Sequence, residues 1–151
     1  MIFAAGLGTR MGALTQVRPK PLIEVADRPL IDQALRFAQG AQAAPVVVNV
    51  HWKADPLRAY LAGTSILISD ETDRLLETPR DGSRAGVPVY TGAQLLRTEG
   101  LAEVSDAVFS LNRLWDRAAA RGGLYGLVHE GDWCDVGRPE NLALAESLLL
   151  R

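Results

Sequence analysis

Gly6, Gly8, Thr9, Arg10 and Lys20 place two glycines, a hydroxyl, a guanidinium and an ammonium within a short opening stretch. Together these groups suit a polyphosphate. A glycine has no Cβ, so its backbone can turn left-handed and bring N–H groups close to a ligand. Arg10 supplies a planar, permanently charged fork, and Lys20 a point charge in a segment stiffened by Pro19 and Pro21. The pattern is not a dinucleotide fingerprint, because the third glycine would have to stand where Met11 does, and no Gly-Lys-Ser/Thr follows as a P-loop requires.

A second group of interest lies near the other end, in Trp133-Cys134-Asp135-Val136-Gly137-Arg138-Pro139. An aspartate between apolar residues of a strand needs a compensating partner. An arginine, the cap of a helix starting at Pro139, or a divalent cation such as magnesium would each serve.

Taken as whole strings, Ala-Ala-Gly-x-Gly-Thr-Arg-Met, Arg18-Pro19-Lys20-Pro21-Leu22 and Pro29-Leu30-Ile31 resemble the signature of the sugar-phosphate nucleotidyltransferases. The likeness is closest to the branch that uridylylates N-acetylmuramate 1-phosphate. The late motif is similar to the Trp-x-Asp-Val-Gly-Thr-Pro of the same family, with Arg138 in place of the threonine. This resemblance implies a Rossmann-like three-layer α/β/α fold with a mainly parallel sheet and a small antiparallel hairpin. It also implies transfer of a nucleoside monophosphate, UMP from UTP, to a sugar 1-phosphate, with release of pyrophosphate. Arg10 would then hold the leaving pyrophosphate and Lys20 the α-phosphate or the acceptor phosphate. Ala5, Gly6, Gly8 and Thr9 would line the base and triphosphate, Asp135 would bind Mg2+, and Glu77 would meet a sugar hydroxyl.

Elements that could position these groups are legible from periodicity. Met1 to Ala5 reads as a buried strand that breaks into the glycine loop. Asp27-Arg28-Pro29 reads as a turn into a helix with Leu30, Ile31, Ala34, Leu35 and Ala38 on one face and Gly40 as its stop. Pro45 to Val50 is a β-branched strand, Asp55-Pro56 opens a helix ending at Gly63, and Ser65 to Ser69 is a third strand. The alternation β-α-β-α-β calls for parallel pairing with right-handed crossovers. In such a sheet Asn49 and His51 would emerge at the edge that bears the glycine loop, either to meet a base or simply to cap and pack.

In the second half, which resumes with Val87 to Leu96, the segment Tyr90-Thr91-Gly92-Ala93 resembles the family's strand leading towards the acceptor site, and Ser110 reads as the N-cap of a helix carrying Leu111, Leu114, Trp115 and Ala118. Trp115 is expected in the core. Leu124 to Val128 and Asp132 to Val136 read as a hairpin about Glu130-Gly131, and a last helix begins near Pro139 with Leu142, Ala145, Leu148 and Leu149 inward.

The 151 residues suit a single domain, with 48% hydrophobic and 23% charged side chains. A net charge of −2 argues against a nucleic-acid or membrane-surface binder, so any polyanion site must be local. One cysteine, Cys134, and the lack of a long apolar run point to a reducing, cytoplasmic setting. The resemblance covers residues 1–78 and 87–151 and fails at 79–86, where the family continues into a glycine run, a helix and an Asn-x-Asp strand. Loss of that section leaves a second reading open, a nucleotide- or nucleotide-sugar-binding module without catalysis.

Overall fold

The computed structural model describes residues 1–72, 90–106 and 109–151. In chain order the elements are β1 (Ile2–Phe3), α1 (Ala13–Val17), β2 (Glu24–Val25), β3 (Arg28–Pro29), α2 (Leu30–Gly40), β4 (Val47–Val50), α3 (Ala54–Leu61), β5 (Leu67–Asp70), α4 (Glu99–Ala102), α5 (Asn112–Ala120) and α6 (Leu142–Leu149). Short 3₁₀ turns span Thr9–Met11, Lys20–Leu22 and Pro139–Asn141. They pack as two compact units, one of Met1–Leu76 with Cys134–Arg151 and the other of Glu77–Trp133.

In the first unit β4 lies between β1 and β5, and both pairings are parallel. Ile2 faces Val48 across one ladder, and Val48 faces Ile68 across the other. Successive strand residues point to opposite faces, so Val48 and Val50 share one face and Asn49 takes the other. The valine face meets Ile31 of α2 and Ala54, Leu57 and Leu61 of α3, which form a single core cluster with Ala4. This is the β-α-β-α-β arrangement of a Rossmann-like α/β fold, and it delivers the end of β1 to the carboxyl edge of the sheet.

The small antiparallel pair is present, but not where strand propensity puts it. β2 and β3 form it, with Glu24 opposite Pro29 and Val25 opposite Arg28. The two residues between them, Ala26 and Asp27, both have positive φ, 50° and 58°. Left-handed angles at both centres are what a tight hairpin turn matching strand twist demands. Val25 is fully buried, so the hairpin is pinned by its own strand.

Among the described residues, Leu124 to Val136 contains no strand, which corrects the expected hairpin there. Tyr125 is 87% exposed and Leu127 fully so. Residues 90–97 likewise contain no strand, and 87–89 fall outside the described residues. A β-prone stretch needs a neighbour to complete its hydrogen bonds, and periodicity alone does not supply one.

In the second unit, α5 starts one residue later than expected, with Leu111 as N-cap. The Ser110 hydroxyl still accepts the Asn112 N–H at 3.3 Å. Leu114, not Trp115, is the buried residue of this helix. Trp115 is half-buried, edge-on to Tyr90 with centroids 5.0 Å apart, and its indole N–H donates to Gln94 Oε1 at 2.9 Å. Among the described residues no helix is long and apolar enough to cross a membrane.

Candidate functional site

The glycine loop is gripped at both ends by buried side chains. At its start, the Ala4 N–H donates to Asn49 Oδ1 at 2.6 Å, and Asn49 Nδ2 donates to Glu71 Oε2 at 3.1 Å. Ala4 and Asn49 are both buried, so an Ala4 N–H left without this acceptor would cost about 1–3 kcal/mol. Asn49 therefore packs and holds the main chain, the blander of its two readings.

At the far end, Gly8 adopts a left-handed conformation with φ 67° and ψ 23°. A Cβ there would lie 2.8 Å from Thr15 Cγ2 and 3.2 Å from Lys20 Cβ, so conformation and space both require glycine. The Gly8 carbonyl accepts from the Met11 N–H at 2.9 Å and from the Thr15 hydroxyl at 3.0 Å. Thr15 is buried, and Met11 and Pro19 are among the most deeply buried side chains. Gly6 behaves differently: it is exposed, its φ lies outside the left-handed range, and a Cβ there would meet nothing within 4 Å. Only one of the two glycines thus uses the left-handed freedom expected of both.

Lys20 opens its 3₁₀ turn directly after buried Pro19, and the Leu22 N–H closes onto the Pro19 carbonyl at 2.9 Å. Burial lowers the Lys20 pKa from the ordinary lysine value; the Asp135 carboxylate opposes that shift, and the Arg10 guanidinium adds to it. Arg10 and Asp135 therefore each lie within electrostatic reach of Lys20, in the same unit, although more than a hundred residues separate Lys20 from Asp135. Ala5 is buried behind the loop, whereas Thr9 and Arg10 are exposed on it. Glu77 lies outside the described residues.

Asp135 corrects the expectation of a buried strand aspartate. It is exposed and sits in irregular chain, so no internal ion pair is needed to compensate it. Its main-chain carbonyl is fixed by Asn141 Nδ2 at 2.7 Å. Gly137 is buried, and a Cβ on it would fall 2.9 Å from Asp135 Oδ2 and 3.1 Å from Oδ1, so the missing side chain is what seats the carboxylate. Among the described residues no group of three or more His, Cys, Asp and Glu side chains could hold a metal. Magnesium fits here nonetheless, since it commonly takes one or two protein carboxylates and completes its shell with water and phosphate oxygens, and Asp135 presents an exposed carboxylate within electrostatic reach of Lys20.

Thr15 and Gly137 shape the site although no role was expected of them, and Asn49, expected at this edge, holds the main chain of the loop. Thr15 had one visible signal, a lone hydroxyl in the apolar run Ala13-Leu14-Thr15, which a buried carbonyl has to explain. A separate groove of about 400 Å³ is lined by Ala13, Leu14, Val17, Ile23 and Leu142 with the paired Arg18 and Glu24, and none of the phosphate-binding candidates lies on its walls.

Residues 1–127 match the family described as MobA-like NTP transferase domain. The chain is 29% identical to an N-acetylmuramate alpha-1-phosphate uridylyltransferase of Caulobacter vibrioides, over 99% of this chain and 96% of that protein. That alignment runs over 231 positions although the chain has 151 residues, so a long stretch of the relative has no counterpart here. A uridylyltransferase of the same description from Neisseria meningitidis serogroup B is 35% identical over 66% of this chain and 45% of its own length. A solved CTP:phosphocholine cytidylyltransferase from Streptococcus pneumoniae aligns with 31% identity and a TM-score of 0.37, over 48% of this chain and 32% of that one.

Proposed function

The chain belongs to the MobA-like NTP transferase family, and on that premise we propose that it transfers UMP from UTP to a sugar 1-phosphate, with N-acetylmuramate 1-phosphate as the acceptor, releasing pyrophosphate. The observation that carries this reading is the joint influence of Arg10 and Asp135 on half-buried Lys20, beside a glycine turn that tolerates no side chain.

In the reaction, an oxygen of the sugar 1-phosphate attacks the α-phosphorus in line. A new P–O bond forms, the bond to the bridging oxygen of the β-phosphate breaks, and pyrophosphate leaves with the electron pair. The protein has little covalent work, so its contribution is position and charge. Burial has stripped part of the water from the Lys20 ammonium, and phosphate oxygens replace that lost solvation. Arg10, exposed on the loop, has the fork geometry for the departing pyrophosphate. Ala5, Gly6, Gly8 and Thr9 form the main-chain bed for the base and triphosphate. Asp135 would hold magnesium, which when bound supplies Lewis-acid polarisation of phosphate oxygens.

A second reading, a nucleotide-binding module without catalysis, is favoured by one observation: the long stretch of the Caulobacter relative that has no counterpart in this chain. One assay separates the two. Each common nucleoside triphosphate is incubated with magnesium and a panel of sugar 1-phosphates, and pyrophosphate release is followed. Release that requires both UTP and a sugar 1-phosphate supports transfer. Calorimetric UTP binding with no release from any pair supports the module, and absence of both overturns the nucleotide site.

A further inference from the structure

We propose that Asn49 is a positioning residue for the triphosphate loop, with its amide held in one orientation by Glu71. The inference rests on the functional reading above and extends it to residues that touch no substrate. The β1–β4 ladder ends with Phe3 opposite Asn49. At the next residue the main chain leaves the sheet, and the Asn49 side-chain carbonyl takes the Ala4 N–H at 2.6 Å in place of a further strand carbonyl. Ala4 is thus fixed two residues before Gly6, at the point where strand becomes loop.

The other half of the amide settles its direction. Asn49 Nδ2 donates to Glu71 Oε2 at 3.1 Å, while the Glu71 N–H donates to the Val50 carbonyl at 2.8 Å, tying Glu71 to β4. A flipped amide would set its NH2 against the Ala4 N–H and its oxygen against the Glu71 carboxylate, leaving a donor pair and an acceptor pair facing each other. Only the observed orientation satisfies all three groups. Glu71, just past the end of β5, therefore fixes the launch of a loop from β1 through one intervening side chain.

The pairing can be rewritten without losing either bond. Asn49→Asp alone sets a carboxylate against Glu71. Asn49→Asp combined with Glu71→Gln returns a donor to face a carboxylate and keeps an acceptor for the Ala4 N–H. Three full-length variants, Asn49→Asp, Glu71→Gln and the double exchange, are compared with the parent for UTP dissociation constant by calorimetry and for thermal midpoint. The expected result is UTP binding weakened on the order of tenfold in Asn49→Asp, with the double exchange returning to within about threefold of the parent. Glu71→Gln alone keeps an acceptor for Nδ2 and stays close to the parent.

Equal UTP affinity in the parent and a folded Asn49→Asp overturns the positioning role while leaving the nucleotide site standing. Should Asn49→Asp fail to fold, a folded double exchange that still binds UTP tenfold more weakly overturns it as well. A parent that binds no UTP removes the functional reading itself, and the positioning role with it.

Discussion

The loop from Ala4 to Arg10 and the segment from Cys134 to Arg138 each send one charge, Arg10 and Asp135, to act on Lys20, but they are built to opposite plans. Buried Asn49, Met11 and Thr15 clamp the loop from within the first unit. Asp135 stands exposed on irregular chain, held through one hydrogen bond to its carbonyl and by the space that Gly137 leaves. Fixed donors stabilise developing charge without reorganising, which suits a triphosphate bed. A ligand for a hydrated cation has no such need, because water and phosphate complete the shell around it. If the proposed function holds, the contrast teaches that a damaged loop should lose shape and nucleotide binding together, and a damaged late segment only the affinity for magnesium.

The largest expected effect tests where the two plans meet. Lys20→Ala removes the charge that both Arg10 and Asp135 influence, and pyrophosphate release should fall on the order of 10²–10³-fold with the circular-dichroism melt little changed. A rate within a few-fold of the parent would detach Lys20 from the chemistry.

Next comes Gly8→Ala, which forces a side chain into left-handed backbone 2.8 Å from Thr15 Cγ2. A loss of about 1–3 kcal/mol in urea unfolding is expected, together with weaker UTP binding. Gly6→Ala, with open space and no left-handed φ, should stay within roughly 0.5 kcal/mol of the parent in the same experiment. Equal losses at the two glycines would contradict the clamped-loop account.

Gly137→Ala belongs to the late segment and should spare stability. By pushing the Asp135 carboxylate aside it should raise the magnesium concentration for half-maximal rate by roughly tenfold, with UTP binding measured without magnesium unchanged. A stability loss as large as that of Gly8→Ala would erase the distinction between the segments.

The subtlest effect is electrostatic. Lys20 should lose its proton at a pH below that of an ordinary lysine, because burial and Arg10 outweigh Asp135. Asp135→Asn removes the one influence that raises its pKa, so deprotonation should move to still lower pH, as read by NMR titration of the labelled amine. An unchanged Lys20 titration in Asp135→Asn would place Asp135 out of reach of Lys20.

Local chemistry made much of the first unit legible. The apolar spacing of Leu30 to Ala38 marked α2, and the β-branched run before Asn49 marked β4, because both face the core that Val48 and Val50 anchor. The β2–β3 turn was hidden, since Ala26 is no left-handed residue by preference and is held there by tertiary structure, the burial of Val25 and the pairing of β2 with β3. Leu124 to Val136 misled in the opposite sense, carrying strand-forming residues without a strand beside them. At the candidate site, type and spacing marked the left-handed turn at Gly8 and the two cations Arg10 and Lys20, of which the first influences the second. The clamps Asn49 and Thr15 were not legible, because their partners are a main-chain N–H and a carbonyl that carry no letter in the sequence.

The grip on Ala4 and Gly8 also bears on how fast a ligand is captured. A bed that is already shaped requires no folding of chain around the incoming molecule, so encounter, rather than rearrangement, governs the association step. On the proposed function, Arg10 and Lys20 would act at a distance as well as in contact, drawing a polyanion toward an otherwise mildly acidic protein, and added salt should slow capture more than it hastens escape.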